Sequence, residues 1–484
     1  MSDDSPILFA RSFGDAPIPA ILPDDPRVRL VTKGKDGHRG EVVVYWTQAA
    51  RRAHDNAALS RAIAEANLRK QPLLVYESLR VDYPYASDRI HAFVLQAARE
   101  SAAAYRARGA GHVFFLPRSA EAARGKVLAL AKRASLLVTD DHPGFLFPAH
   151  VTALAETCPC PVLAVDDTCV IPLSLFPKEE YAARTIRPKV VRLLPAWLRP
   201  LEEPSCKVAP RALDLPFTPF DVERADLTKT LAALPIDHGV PVVEDNDGAR
   251  SVGLARLARF VSRGLSVYAE EHNHPDESAT TGLSAHLHFG IVGAREAALS
   301  LADARADLGA KDAFLEQLLV RRTLAFNLAS RNALHRTYAA VPDWAKKTLA
   351  EHRADKRDAL YDRDALESAR TGDEVWNAAQ RELRTRGVIH NYLRMLWGKC
   401  VIAWKRTPEE AFDELVHLND RWALDGRDPN TYASILWCFG KHDRPWGPAR
   451  KIFGTVRYMS TAAAMRKLKM EDYLRRWGPQ LRLA

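Results

Sequence analysis

The sequence contains no CxxC pair. Its six cysteines, Cys158, Cys160, Cys169, Cys206, Cys400 and Cys438, are scattered, which excludes a zinc ribbon and a dithiol redox motif. Cys158-Pro-Cys160 is too tight for an ordinary disulfide. No apolar run approaches the ~18 residues a membrane span requires. The N-terminus, "MSDDSPILFARS", lacks the basic-then-apolar order of a secretory signal. There is no GxGxxG fingerprint, so a dinucleotide held in the Rossmann manner is not indicated. Internal repeats and low-complexity tracts are also absent. What remains is a soluble cytoplasmic chain with reduced thiols, no metal site and no membrane contact, expected to be a monomer.

Within those bounds the composition is globular. The 484 residues are 47% hydrophobic and 27% charged, enough for two or three domains with full cores. The net charge is +9 and the pI about 9.2. Such an excess favours polyanions, nucleic acid first.

Two halves differ in period. "GEVVVYW" (40–46), "QPLLVYESL" (71–79), "GHVFFLP" (111–117), "ASLLVTDD" (134–141) and "CPVLAVDD" (160–167) read as buried parallel strands. Helix-like stretches separate the first four, so the spacing predicts an α/β doubly wound parallel sheet over 38–170. Ligands of such sheets bind at the strands' carboxyl ends. Residues 171–248 are proline-rich and read as an irregular interdomain connector. From 249 to 484 apolar residues recur at helical spacing, predicting an all-α domain.

Four stretches carry chemistry. In "ATTGLSAHLHFG" (279–290), Thr280, Thr281 and Ser284 lie near a helix start. They suit either an ordinary cap or a phosphate held by hydroxyls and backbone N–H groups. In "LNDRWALDGRDPN" (418–430), Asp420, Asp425 and Asp428 crowd with Asn419 and Asn430. This is an Asx-rich turn or the polar floor of a pocket for a large ring, in which Arg394 and Asp425 would pair. Lys441, Arg444, Arg450, Lys451 and Arg457 fall within 17 residues against one acid, Asp443, with Trp437 and Trp446 nearby. That pattern fits a solvated loop or a nucleic-acid face with aromatic platforms. Finally, Trp376, Trp397 and Trp404 lie along one helical stretch, serving either as core or as an electron path.

Taken together, "EEYAARTIRPKVVRLLP" (179–195), "LSAHLHFG" (283–290), "WNAAQREL" (376–383), "LNDRWALDGRDPN" (418–430) and "HDRPWG…FGTVRYMS" (442–460) resemble the class II cyclobutane-pyrimidine-dimer photolyases of the photolyase/cryptochrome family. The resemblance runs from about residue 40 to the end. It implies an antenna-type α/β domain, whose pigment would be a deazaflavin or a folate, and a helical domain holding FAD. The activity implied is light-driven electron transfer to a flipped-out pyrimidine dimer in damaged DNA; a cryptochrome-like photoreceptor is the alternative. Tyr268, Thr280, Thr281, Leu283 and Ser284 would hold the FAD phosphates. Arg394 and Asp425, with Asp428, would line the isoalloxazine, and Asn419 or Asn430 would face its N5. Gln317, Met395 and Trp437 would contact the lesion. Trp397, Trp376 and Trp404 would carry electrons inward, and Arg427 would join the basic loop on DNA.

The chain departs from the family pattern in "FLEQLLVRRTLAFN" (314–327), where Gln317, Thr323 and Phe326 replace Glu, Glu and Asp. In "LSAHLHFG", Ala285 and His286 replace Pro and Tyr. The resemblance implies that Gln317 lowers repair efficiency.

Overall fold

The computed structural model describes residues 8, 14–276 and 279–478. All five apolar runs form strands: β2 (Val42–Thr47), β3 (Leu73–Ser78), β4 (Gly111–Phe115), β5 (Ala134–Asp140) and β6 (Val162–Val165). They pair in parallel in the order β6-β5-β2-β3-β4. Every residue of β2 is buried, as a central strand covered on both faces requires. Crossover helices include Ala57–Arg69 and Asp88–Ala107. The first is set by local chemistry: the Asn56 side chain accepts the Leu59 N–H, and Lys70 closes the helix in a left-handed conformation.

Two expectations need correction. A sixth strand, β1 (Val28–Thr32), pairs antiparallel with β6 at the edge of the sheet. Its exposed Leu30 gives it no continuous buried run, so periodicity could not mark it. The stretch read as an irregular connector contains the helix Ala183–Trp197. Pro188 and Pro195 within it look like breakers, at about 3 kcal/mol each. Its buried face of Ile186, Val190, Val191, Leu194 and Trp197 packs into the core that includes Val43 and Tyr45 of β2. Burial at about 1.5–3 kcal/mol per large side chain offsets the prolines.

The remainder is helical. Glu374–Arg386, Asn391–Trp404, Pro408–Trp422 and Pro429–Cys438 share a second core through Trp376, Leu396, Phe412, Leu415 and Leu436. This helical region is seated directly on the sheet region. Gly290, at φ +63°, marks the contact: a Cβ there would lie 1.9 Å from the Ala49 carbonyl oxygen, so only glycine fits.

Candidate functional site

The acid-and-amide loop is a built floor rather than a loose turn. Asp428 caps the Pro429–Cys438 helix by accepting the Asn430 backbone N–H at 2.8 Å, with Pro429 in the first turn. Its other oxygen lies 3.0 Å from His288 Nδ1. Burial alone would raise the Asp428 carboxyl. The His288 hydrogen bond and the charges of His288 and Arg322 outweigh it and hold the group well below the usual carboxylate range. Asp420 accepts from the Arg427 backbone and from the Tyr432 hydroxyl. Arg394 donates to both Asp425 oxygens at 3.1 and 3.2 Å and to Asn419 Oδ1 at 3.0 Å. The pair is only 14–15% exposed, so it keeps most of its strength against solvent.

The two asparagines differ in what they leave open. Asn419 is buried and committed at both ends, to Arg394 and to Thr431. Asn430 donates its amide to Asp428 and keeps its side-chain oxygen without a protein partner among the described residues.

The hydroxyl turn lies at a second edge. Gly282 takes φ +63°, and the short helix Ser284–His288 follows. Thr281 accepts the Leu283 N–H, Leu283 is buried, and Thr280 and Ser284 are exposed. Tyr268 is buried, stacks on His272 at 4.7 Å, and is pushed up to about 12 by burial. Both ring nitrogens of His390, the residue that precedes the Arg394 helix, are buried without a hydrogen-bond partner among the described residues. This donor-rich, incompletely satisfied set is what a phosphate-bearing polar cofactor needs.

Three residues beyond Arg394 on the same helix, Trp397 begins the tryptophan stack. It is parallel to Trp376, with centroids 6.0 Å apart and an interplanar angle of 3°. Trp376 meets Trp404 edge-on at 5.4 Å. Trp404 meets Tyr361 at 5.1 Å. Trp376 and Trp397 are 1% and 2% exposed, whereas Trp404 is half-buried. The rings are therefore core, and they form a continuous aromatic chain from buried Trp397 and Trp376 to half-buried Trp404. Sequence reasoning missed Tyr361, and it missed Gln380, whose side-chain oxygen accepts the Trp397 indole N–H at 3.0 Å. Gln380 nonetheless lies within the family-like string "WNAAQREL", four residues after Trp376.

The departures divide by helix face. Gln317 is exposed on a π-helical turn, Glu316–Arg321. That turn is anchored by Arg187, which grips Glu316 at 2.9 and 2.7 Å. Four residues on, the Arg321 guanidinium sits 5.2 Å over Trp437, which is half-buried, as is Met395. Thr323 and Phe326 point the other way and are buried. Phe326 packs on His142 at 5.4 Å, beneath the Arg322 guanidinium. His286 is likewise buried, against Phe93 at 5.1 Å. These changes belong to the core between sheet and helices, and only Gln317 is accessible.

The basic loop also needs correction. Arg427 is 3% exposed, in a left-handed conformation, and turned inward toward Phe145, so it is not on a DNA-facing surface. Lys441 pairs with Glu179 at 2.5 Å and Lys451 with Asp358 at 2.8 Å, which lowers the charge they offer. Arg444 and Arg457 lie over the Trp446 ring at 4.6 and 5.0 Å, and Arg450 over Tyr458 at 5.1 Å. All three are exposed and have no acidic partner among the described residues.

A cavity of about 120 Å³ opens at the carboxyl ends of the strands and borders the acid-and-amide loop through His288 and Arg427. Trp46, Gln48, Tyr83, Phe147 and His150 line one side, and His288 and Arg427 the other. It is the ligand position that a doubly wound sheet offers. Among the described residues no group of three or more His, Cys, Asp or Glu is arranged to hold a metal. None of their helices is long and apolar enough to cross a membrane.

A mostly parallel sheet packed against a helical region is an architecture found in solved photolyases. The chain superposes on a bacterial class III photolyase from Agrobacterium tumefaciens with a TM-score of 0.68 at 16% identity, covering 91% of this chain and 86% of that one. For an archaeal photolyase from Sulfolobus tokodaii the TM-score is 0.62, with 90% of each chain covered. The DNA photolyase family profile matches residues 43–205. The deoxyribodipyrimidine photo-lyase of Methanothermobacter thermautotrophicus is 35% identical over 93% of this chain and 97% of its own length. That of Oryza sativa subsp. japonica is 34% identical over 93% and 89%. The chain belongs to the DNA photolyase family.

Proposed function

We propose that this protein is a flavin-dependent lyase of the class II type that splits cyclobutane pyrimidine dimers in damaged DNA under light. The observation that carries the reading is the Trp397–Trp376–Trp404 stack starting one helical turn from the Arg394–Asp425 pair. On this reading residues 38–170 form an antenna-type domain, 171–248 a connector and 249–484 the FAD- and DNA-binding domain. When bound, FAD supplies the light-driven one-electron chemistry. Thr280, Thr281, Ser284 and Tyr268 would hold its phosphates. Arg394, fixed by Asp425 and Asn419, would set the charge beneath its ring, beside the low-lying Asp428 carboxylate. Asn430, with its open oxygen, is the asparagine for the ring edge. The cavity at the strand ends, between Trp46 and Arg427, is where an antenna pigment would enter. Trp437 and Met395 would face the extruded lesion, whose flipping is easiest at damaged sites.

The direct test is dimer loss from an irradiated oligonucleotide under visible light, with bound reduced flavin verified by absorbance. No flavin uptake, or no light-dependent loss with flavin bound, sinks the reading. Gln317 is the one feature that favours the photoreceptor alternative. Its amide hydrogen-bonds but cannot supply a proton to developing charge. Gln317→Glu is therefore expected to raise repair per absorbed photon about fivefold, the equivalent of roughly 1 kcal/mol, with DNA affinity nearly unchanged. Absence of repair in both proteins would favour the photoreceptor.

DNA binding should be salt-dependent through the loop. Replacing Arg444, Arg450 and Arg457 together by Gln is expected to flatten the slope of log K against log salt by about 0.9 for each phosphate the loop no longer neutralises. An unchanged slope in a fluorescence-anisotropy titration would place the DNA face elsewhere.

A further inference from the structure

The tryptophan stack has a second layer, the partners of its indole N–H groups. Trp397 donates to the Gln380 side-chain oxygen at 3.0 Å. Trp376 donates to the Trp397 backbone carbonyl at 3.1 Å. Gln380 is 0% exposed, and its amide nitrogen is directed at the Glu367 carbonyl, which leaves the oxygen for Trp397. Both acceptors are amides: they take a hydrogen bond but are not bases. The Trp404 N–H has no protein acceptor among the described residues and is not among the fully buried unpartnered atoms.

We infer that Gln380 is a positioning residue that holds the innermost indole through an acceptor that is not a base, so that the deficit moves outward and a proton is lost only at Trp404. The inference rests on the photoreduction reading above. One electron leaves Trp397 for the flavin, one passes from Trp376 to Trp397, and one from Trp404 to Trp376. The deficit then sits on Trp404 as a radical cation. Its N–H proton goes to water, leaving a neutral radical. An added thiol returns one electron and one proton and restores the indole. The neutral hydrogen bonds at Trp397 and Trp376 hold the ring orientation without offering a proton sink. A carboxylate in place of Gln380 would be such a sink.

Two variants and one light-independent measurement test this. In the FAD-loaded protein, Gln380→Glu is expected to lower the yield of the Trp404 radical by about tenfold in transient absorption. A neutral tryptophanyl radical confined to the inner position should replace it. The effect should appear only above the pH at which the introduced carboxyl ionises, a dependence that a packing defect would not produce. Gln380→Met, which keeps the volume and adds no base, is expected to leave Trp404 as the terminus. Wild-type behaviour of Gln380→Glu at every pH, or the same radical shift in Gln380→Met, would overturn the inference. If Gln380→Glu does not fold, indole N–H hydrogen exchange of the wild type decides. Trp376 and Trp397 should exchange at least about tenfold more slowly than Trp404, and equal rates would overturn the claim. This last measurement needs neither flavin nor light. Failure of the wild type to photoreduce would therefore count against the functional reading alone.

Discussion

Below pH 6.5 the folded protein is expected to lose stability steeply. His91, His142, His286 and His442 are all buried. Burial lowers His91, His286 and His442 to about 4 and His142 to about 3, from an ordinary 6.5. The unfolded chain takes up these protons as the pH falls through 6.5, while the folded chain resists until near 4. Each group then removes about 1.4 kcal/mol per pH unit between its two values. Asp166 acts in the opposite sense: burial raises it to about 6, so below that pH the folded state binds its proton first. Burial raises Asp167 and Glu382 in the same sense as Asp166, and it lowers His390 to about 4 alongside the four imidazoles. Against a total stability of about 5–15 kcal/mol, the four are enough to bring unfolding near pH 5. Chemical denaturation at pH 7.5, 6.5, 5.5 and 5.0 measures it. A midpoint that does not move across that range would mean that these histidines are hydrated in solution.

Trp397→Phe is expected to abolish photoreduction of bound oxidised flavin over an exposure that fully reduces the wild type. Phe preserves much of the packing against Trp376, but benzene gives up an electron far less readily than indole. The variant also removes the N–H that Gln380 accepts, leaving a buried oxygen unpaired at a cost of about 1–3 kcal/mol. Flavin content should stay at the wild-type level, because Arg394, Asp425 and Asn430 are untouched. The measurement is the rate of flavin bleaching under blue light with a thiol donor, beside flavin content after gel filtration. Photoreduction at the wild-type rate would mean that electrons enter by another route. Loss of flavin together with unfolding would mean that Trp397 matters as packing alone.

Some of the site is legible in the sequence and some is not, for identifiable reasons. Asp428 and Pro429 announce a helix start, because capping depends on neighbours in sequence. Arg394 and Asp425, 31 residues apart, pair on chemistry and resemblance, and they meet because the turn after the Pro408–Trp422 helix lies against the Asn391–Trp404 helix. Arg427 carries a charge like the rest of the basic set, and charge alone does not tell a buried guanidinium from an exposed one. Thr323 and Phe326 look like changes at the site because they follow Gln317 closely. The turn of the helix sends them to the opposite face, where Phe326 packs on His142.

By itself the sequence determined the alternation of strands and helices, the helical second half and the absence of dithiol motifs. These depend on period and near-neighbour chemistry, which a linear string carries. Only the tertiary structure decided the antiparallel edge strand β1, the helix Ala183–Trp197 over the sheet, and the inward course of Arg427. It alone decided which asparagine keeps an open oxygen, and that Trp397, Trp376 and Trp404 touch in that order with Gln380 on the first indole. Each of these depends on which distant face is available for burial or hydrogen bonding, and that is fixed only when the helices and the sheet are packed together.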